Sequence, residues 1–215
     1  MLDRTAFYPG GGGQPHDVGT LLLDDGELPV VRVQRRSDEV WHQVAGPLPP
    51  PGARVRGRID WSRRYALMRT HTALHVLCGV VWRDYGAQVT GGNMEPLRGH
   101  LDFEFENLRQ ELVAEIEEKI NREVEAARDV RVRILPREEA FRIPDLIRTK
   151  VNLLPPALTE IRTVEIVGLD LQADGGTHVA NTREVGAIRV AGYKSKGRIN
   201  KRIQVELAAD EPGPE

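Results

Sequence analysis

The chain changes its pattern of apolar residues at Asp60, and this change restricts it to a fold that combines a β module with helices. Before Asp60, four short apolar runs are separated by turn-forming residues at intervals of about ten residues, at positions 18–23, 28–34, 39–44 and 54–59. Strands at this spacing are typical of a small barrel or sandwich. We therefore predict a small N-terminal β-barrel over residues 1–59, followed by a mixed α+β unit over residues 60–209.

Two longer segments after this point have the spacing of helices. Asp60 is a suitable N-cap for a helix that runs from Trp61 to Tyr85, and Gly86 is a suitable residue for its C-terminal end. The second segment is amphipathic, because its apolar residues recur at every fourth position among glutamates, arginines and lysines: Leu108, Leu112, Ile116, Ile120 and Val124. The first helix is expected to be largely buried.

The remaining segments are predicted to be strands, turns and a tail. We expect strands at 130–135, 160–169, 186–193 and 199–207, and a short helix at Pro136. A turn at 194–197 joins the last two strands into a hairpin. Residues 210–215 are rich in acid and proline and are predicted to be a disordered tail.

Three of the six histidines lie in two short groups that are able to supply metal ligands. His71 and His75 are four residues apart within the first predicted helix, so both imidazoles project from one face. Asp174 and His178 are four residues apart in a glycine-rich loop. Histidine and aspartate are common zinc ligands, so one interpretation is a metal site formed by all four residues. The other is a chance spacing in the helix and a turn capped by Asp174.

Composition excludes several other classes of protein. One cysteine, Cys78, rules out an internal disulfide framework and a zinc site made of cysteines alone. No apolar run approaches the ~18 residues that a membrane span needs, so we expect no membrane association and a cytoplasmic protein. The formal net charge of -2 provides no general attraction to nucleic acid.

Several motifs in the same order resemble those of the alanyl-tRNA editing proteins, the AlaX family, and in particular its medium-length members. The motifs lie at Asp3–Pro15, Arg69–His75, Gly175–Gly186 and Lys196–Arg198. The resemblance implies a β-barrel followed by a two-layer α/β editing domain of the threonyl/alanyl-tRNA synthetase type. It also implies a free-standing deacylase that hydrolyses Ser-tRNA(Ala), or Gly-tRNA(Ala), and spares Ala-tRNA(Ala). Members of this type carry another strand before Leu2, so we expect an incomplete barrel or a start upstream of Met1.

The resemblance implies one Zn²⁺ per chain, with His71, His75 and His178 as ligands by direct motif match. Where the family motif most often has cysteine, this chain has Asp174. Aspartate is a competent zinc ligand, but it is harder than a thiolate. We therefore expect either Asp174 or a water to complete the site, with weaker binding than in a site that contains cysteine.

Two glycine-rich segments are candidates for contact with the substrate. The first comprises Gly10, Gly11, Gly12, Gly13 and Gln14. The resemblance places this loop beside the editing site, where it helps to exclude alanine, while the residues alone are compatible with a phosphate cradle or a tight barrel turn. Discrimination in favour of serine requires a polar group that bonds its hydroxyl. In the second segment, Thr90 and Asn93 are the candidates for that contact.

The charge is unevenly distributed along the chain. Residues 183–202 contain seven basic residues against one acid, including Lys194, Lys196, Arg198 and Lys201 in the predicted hairpin. A basic hairpin beside the metal loop suits the phosphates of a tRNA acceptor stem, and a solvated, charged hairpin is the alternative. We expect the partner to be the acceptor stem and 3′ end of tRNA(Ala), and the protein to be a monomer or a homodimer.

Two other functions stay open on the sequence alone. The first is a tRNA-binding module whose catalytic site is compromised by Asp174. The second is a metal-dependent hydrolase of small esters or amides, and the basic hairpin argues against it.

Overall fold

The computed structural model describes residues 1–24, 26–150 and 154–209, and the predicted tail at 210–215 lies outside the described residues. The strands are β1 Gly19–Leu23, β2 Gly26–Arg36, β3 Glu39–Val44, β4 Arg56–Ile59, β5 Val89–Glu95, β6 Arg98–Glu104, β7 Val130–Pro136, β8 Glu160–Ile166, β9 Asp170–Ala173, β10 Ile188–Ser195 and β11 Asn200–Leu207. The helices are α1 Trp61–Tyr85, α2 Gln110–Glu125 and α3 Arg137–Ala140, with a 3₁₀ turn at Thr182–Val185. In this part of the chain, no helix combines the length and the apolar character needed to cross a membrane.

Strands β1 to β4 form an antiparallel sheet in the order β3-β2-β1-β4. Phe7 covers one face of this sheet and packs with Leu21 and Val30. The sheet is open, because β3 and β4 lie at opposite edges and do not pair with each other in the described residues. The last strand, β4, has only four residues and pairs with β1 alone. The barrel predicted for residues 1–59 is therefore not confirmed.

Helix α1 begins and ends at the predicted residues. The Asp60 carboxylate accepts a hydrogen bond from the Arg63 N–H at 3.0 Å, and Gly86 adopts a left-handed conformation with φ 63°. A capping carboxylate satisfies a free N–H at the start, and glycine ends the helix because it has no Cβ to clash. Between Leu67 and Val81 nearly every side chain is buried. Helix α1 is therefore the central element of the fold.

The second sheet has the order β10-β11-β6-β5, and its apolar residues pack with those of α1 and α2. Phe103 and Ile203 of the sheet share this core with Leu77 of α1 and Ile116 of α2. Helix α2 follows the predicted apolar spacing but begins after Leu108, which packs against the core from the preceding loop. Strands β5 and β6 are absent from the sequence prediction, and they form one side of the cavity described below.

The third sheet has the order β7-β8-β9, and its last strand leads directly to Asp174. The single strand predicted for 160–169 is instead part of a hairpin, because Gly168, with φ 75°, turns the chain between β8 and β9. Gly79 lets this hairpin approach α1 closely, since a Cβ there would lie 2.9 Å from Leu169. The loop after β9 is thereby brought against the histidines of α1.

Candidate metal centre

His71, His75, Asp174 and His178 meet between α1 and the loop after β9. One possible ligand atom from each residue lies within 4.8 Å of the others. The Asp174 carboxylate is 3.5 Å from His71 Nε2 through Oδ1 and 3.1 Å from His178 Nε2 through Oδ2. The rings of His71 and His178 stack with their centroids 4.3 Å apart. Two groups that are far apart in the sequence therefore form a single cluster.

Two of the imidazoles are oriented by acceptors at their Nδ1 atoms. His71 Nδ1 lies 2.9 Å from Gln14 Oε1, and His75 Nδ1 lies 3.1 Å from the Asp170 carboxylate. An amide oxygen and an ionised carboxylate only accept hydrogen bonds, so each Nδ1 carries the hydrogen. In the neutral form of either ring, Nε2 is therefore the unprotonated nitrogen.

His178 has the same tautomer for a less direct reason. Its Nδ1 lies 3.1 Å from the Thr72 hydroxyl, which donates its own hydrogen to the Met68 carbonyl at 2.9 Å. The hydroxyl therefore accepts from His178. All three Nε2 atoms are thus left to face the centre, where His178 Nε2 lies 3.1 Å from Asp174 Oδ2, a distance at which the two atoms share a proton or a cation. Outer hydrogen bonds of this kind are the usual support of metal-binding histidines.

The protonation states of the cluster also suit a cation. Burial lowers the pKa of His71, and it lowers that of His178 to about 4. Burial also lowers the pKa of His75, but the contact of His75 with Asp170 has the larger effect, so the pKa of His75 is raised. Burial by itself raises the pKa of Asp174, whereas the interaction with His178 and the other imidazoles holds it well below its usual range. At neutral pH the imidazoles of His71 and His178 are therefore neutral and Asp174 is ionised, whereas a cation that binds to His75 competes with its proton.

These four residues fit a divalent ion of the zinc type. Imidazole nitrogens and carboxylate oxygens are common zinc ligands. An imidazole lone pair and a carboxylate oxygen that lie 3.1–3.5 Å apart repel each other unless a proton or a cation lies between them. Cys78 is not a member of the cluster. It is buried, and burial raises the pKa of its thiol, which keeps it protonated. The residues present would therefore form a site without thiolate.

The glycine-rich loop reaches the cluster through Gln14. The amide of this buried residue accepts from the Thr177 N–H at 2.9 Å and donates to the Thr177 hydroxyl at 2.8 Å. These two bonds hold Oε1 toward His71. Gly12 and Gly13, with φ 58° and 87°, line the cavity beside the cluster. The loop therefore lies beside the cluster, and its glutamine holds His71 in place.

A cavity of about 630 Å³ opens beside the cluster. Asn93 lines it, and the side-chain oxygen Oδ1 of Asn93 accepts a hydrogen bond from the Met94 N–H at 3.0 Å. Among the described residues, the amide nitrogen of Asn93 has no hydrogen-bond acceptor. Thr90 is not part of the cavity wall, and its hydroxyl lies 3.1 Å from Asn200 Oδ1 and 3.2 Å from the Asp102 carbonyl. Of the two candidates for contact with a serine hydroxyl, only Asn93 therefore faces the cavity.

Three further residues of the site are missing from the sequence prediction. Asp170 accepts from Gln172 at 2.7 Å and lies 3.4 Å from Arg148 Nε, and both of these neighbours line the cavity. A carboxylate within the otherwise apolar run 166–171 is the signal that would have identified Asp170. Arg148 lies in an irregular segment and carries no such signal.

The basic hairpin is formed by β10 and β11, but Lys201 is turned inward. Lys201 is 8% exposed, and its ammonium donates to the carbonyls of Gly197 and Arg198, both at 2.8 Å. An ammonium that closes the turn is not free to bind a phosphate, so the structure does not support the tRNA contact expected of Lys201. Lys194, Lys196 and Arg198 are exposed.

The substitution Asp170→Asn is expected to weaken zinc binding by about 10–100-fold, the usual cost of losing a carboxylate behind a ligand histidine. An asparagine amide is able to donate to His75 and so favours the tautomer whose Nε2 is protonated. Competition between the apo protein and a chelator measures the affinity. Asp38→Asn, in an exposed turn, is the matched control. Equal affinities in the two variants would show that Asp170 does not orient His75.

Models of two protein families match the chain. The family described as Threonyl and Alanyl tRNA synthetase second additional domain matches residues 161–204, and the family described as tRNA synthetases class II (A) matches residues 1–63. The first match includes Asp174, His178 and most of the basic hairpin. The second includes the glycine-rich loop with Gln14.

The chain is similar over most of its length to proteins named alanyl-tRNA editing protein AlaX-M. The one from Saccharolobus solfataricus is 41% identical over 209 residues, which cover 94% of this chain and 86% of the relative. The one from Methanosarcina acetivorans is 36% identical over 216 residues, which cover 96% and 88%. An alanine–tRNA ligase from Pyrobaculum neutrophilum is 41% identical over 197 residues, which are 88% of this chain and 22% of the ligase. This chain belongs to the family of alanyl-tRNA editing proteins.

Proposed function

We propose that this protein is a trans-editing deacylase of the cytoplasm, which hydrolyses the ester bond of tRNA(Ala) mischarged with serine, and also with glycine. The main support is the convergence of three Nε2 atoms and Asp174 beside a cavity, in a chain of this family. Under this proposal residues 60–209 form the editing domain. Residues 1–59 contribute the loop that holds Gln14 against His71.

We assign one divalent ion, Zn²⁺, to the cluster. When bound, it supplies positive charge that polarises the ester carbonyl and favours deprotonation of an attacking water. The chain itself keeps the ligands in place, since Gln14, Thr72 and Asp170 hold the three imidazoles in one tautomer. An aminoacyl ester is already activated, so positioning and charge stabilisation supply most of what its hydrolysis requires.

Preference for serine over alanine is assigned to the polar wall of the cavity. The amide nitrogen of Asn93 is a donor for the serine hydroxyl, and alanine has no group that accepts from it. Because Asn93 is exposed, water satisfies this donor when alanine is bound, and the preference rests on the hydrogen bond that serine gains.

The acceptor stem is assigned to the basic hairpin. Lys194, Lys196 and Arg198 are exposed on it. Lys196 lies 3.4 Å from Asp102, whose strand partner Gly91 lines the cavity. Phosphates bound at these side chains would therefore lie close to the entrance of the site.

Hydrolysis of Ser-, Gly- and Ala-tRNA(Ala) by the purified protein tests the proposed function. We expect Ser-tRNA(Ala) to be hydrolysed about 100-fold or more faster than Ala-tRNA(Ala). A chelator is expected to remove this activity and added Zn²⁺ to restore it, because the ion supplies the charge at the carbonyl. Equal rates on the three substrates would contradict the proposal.

The same assay separates the two alternative functions. Binding of tRNA(Ala) without hydrolysis would favour the tRNA-binding module. Hydrolysis of serine methyl ester at a rate that uncharged tRNA(Ala) does not inhibit would favour the hydrolase of small esters. The exposed hairpin favours a tRNA substrate over a small ester.

A further inference from the structure

Three arginines and a tryptophan form an exposed surface where the N-terminal sheet meets the start of α1. We propose that this arginine-strand surface, made of Arg54, Arg56, Arg58 and Trp61, is a second contact for the phosphate backbone of the tRNA substrate. The inference rests on the proposed function, since it takes tRNA as the partner.

The arginines share one face because they alternate along an extended segment that ends in β4. Val55 and Ile59, between and after them, pack against the apolar core of the N-terminal sheet. Gly57 lies on the same inner side, where a Cβ would be 2.9 Å from Phe7. Successive side chains of a strand point to opposite faces. All three arginines therefore point away from the core, and all are exposed.

The rest of the chain leaves Arg54 and Arg56 without an opposite charge. Residues 53–64 contain five arginines against one acid, Asp60, whose carboxylate caps α1, and Arg64 is paired with the buried Asp17. Within the described residues, neither Arg54 nor Arg56 makes a side-chain hydrogen bond or an ion pair. Arg58 pairs with Glu27 at 2.9 Å, but both side chains are 58% exposed. Such an exposed pair is weak, so a phosphate is able to replace it.

Trp61, the first residue of α1 and three residues after Arg58, adds an exposed aromatic ring beside this segment. It is 60% exposed, and its ring stacks on Tyr65 with centroids 6.1 Å apart and an angle of 21° between the planes. The Tyr65 hydroxyl donates to Glu184 at 3.1 Å, which anchors the pair. Charged side chains on an edge strand also prevent sheets from pairing with each other, but that role does not call for an exposed tryptophan. Aromatic rings among basic groups are typical of nucleic-acid contacts.

The arginine-strand surface and the basic hairpin lie at opposite ends of α1. Trp61 and Tyr85 are the first and last of its 25 residues, so the helix spans about 37 Å. Phe105 packs on Tyr85 and donates its N–H to the Ile199 carbonyl of the hairpin turn at 2.8 Å. His71 lies between the two ends, about 15 Å along the helix from Trp61. Basic surfaces so far apart suit a long polyanion, and a small ester is too short to reach both.

The affinity for uncharged tRNA(Ala), measured at several salt concentrations, tests this contact. The double substitution Arg54→Gln, Arg56→Gln is expected to weaken binding about tenfold near physiological salt. It is also expected to lower the slope of log affinity against log salt by about 1.5, since each phosphate contact contributes about 0.7–0.9. The matched control is Arg131→Gln, Arg133→Gln, two exposed arginines on the edge strand β7. We expect the control to change the affinity less than twofold.

Equal losses in the two double variants would overturn the inference. The inference would also be overturned if the Arg54→Gln, Arg56→Gln protein bound tRNA normally and self-associated in gel filtration. The arginines would then only prevent the edge strand from pairing with another molecule. Trp61→Ala is expected to lower the affinity for tRNA about fivefold. The slope of log affinity against log salt is expected to stay the same, because tryptophan carries no charge. Wild-type affinity in Trp61→Ala would remove the tryptophan from the surface.

The use of uncharged tRNA keeps this inference separate from the proposed function. A protein that depends on Arg54 and Arg56 for binding but hydrolyses no Ser-tRNA(Ala) would contradict the proposed function alone. A protein that hydrolyses Ser-tRNA(Ala) and binds tRNA without these arginines would contradict the second contact alone.

Discussion

Gly176→Ala is expected to abolish both zinc binding and Ser-tRNA(Ala) hydrolysis, although it adds a single methyl group. A Cβ at this position would lie 2.1 Å from Cε1 and 2.3 Å from Nδ1 of His71, and 2.8 Å from Gln14 Oε1. The imidazole is buried on a rigid helix, so it would have to leave Gln14 and turn its Nε2 away from the centre. Misplacement of a reacting group by about 1 Å costs about 100-fold in rate, and we expect at least that loss.

Gly175→Ala is the matched control, because a Cβ there meets no atom within 4 Å. Zinc content by elemental analysis and the rate of Ser-tRNA(Ala) hydrolysis are measured for both variants. Extra atoms in a packed site also cost about 1–3 kcal/mol of stability, so thermal unfolding of the metal-free proteins is recorded to separate the two effects. A Gly176→Ala protein with normal zinc content and rate would contradict the position of His71.

His178→Ala is expected to weaken zinc binding by more than about 100-fold, since groups that only orient a ligand already contribute about 10–100-fold. It removes one of the three Nε2 atoms and leaves the Asp174 carboxylate without its neighbour at 3.1 Å. Hydrolysis of Ser-tRNA(Ala) is expected to fall to the background rate at limiting zinc and to recover in part at high zinc.

His100→Ala is the control for this experiment, because His100 lies on β6 and outside the cluster. We expect its zinc content and its rate to match those of the wild type. If His178→Ala binds zinc as tightly as His100→Ala, His178 is not a ligand. The stacking of its ring on His71 would then have only a structural role.

The helix boundaries could be predicted because local chemistry decides them. Asp60 and Gly86 act through their own backbone neighbours and need no tertiary partner. Strands β5 and β6 could not be predicted, because Gly91, Gly92 and Gly99 interrupt their apolar pattern. Tertiary contacts stabilise these strands. Strand β6 pairs with β11, and it packs so closely on α1 that a Cβ at Gly99 would lie 3.0 Å from Leu74.

The expected barrel shows that local patterns predict strands but do not predict how the strands of a sheet pair. The apolar runs predicted its strands closely, and β3 at Glu39–Val44 matches the expected range. Whether a sheet closes depends on pairing between its first and last strands, and no local pattern reports that pairing. The four residues of β4 pair only with β1, which leaves an open sheet.

The cluster itself could be anticipated from the two histidine groups and the family resemblance, but its supports could not. Gln14, Thr72 and Asp170 come from a loop, a helix and a strand, and only the tertiary structure brings them to the three Nδ1 atoms. Lys201 was predicted to bind tRNA because it lies in a basic segment. In the structure its ammonium instead donates a hydrogen bond within the turn.

Under the proposed function, these four residues hold one divalent ion on which hydrolysis depends. The most direct measurement titrates the metal-free protein with Zn²⁺ and follows both bound zinc and the rate of Ser-tRNA(Ala) hydrolysis. We predict that the rate rises in proportion to bound zinc and reaches its maximum at one equivalent, and that His178→Ala shows no such rise up to one equivalent. Full activity in the metal-free protein would contradict it.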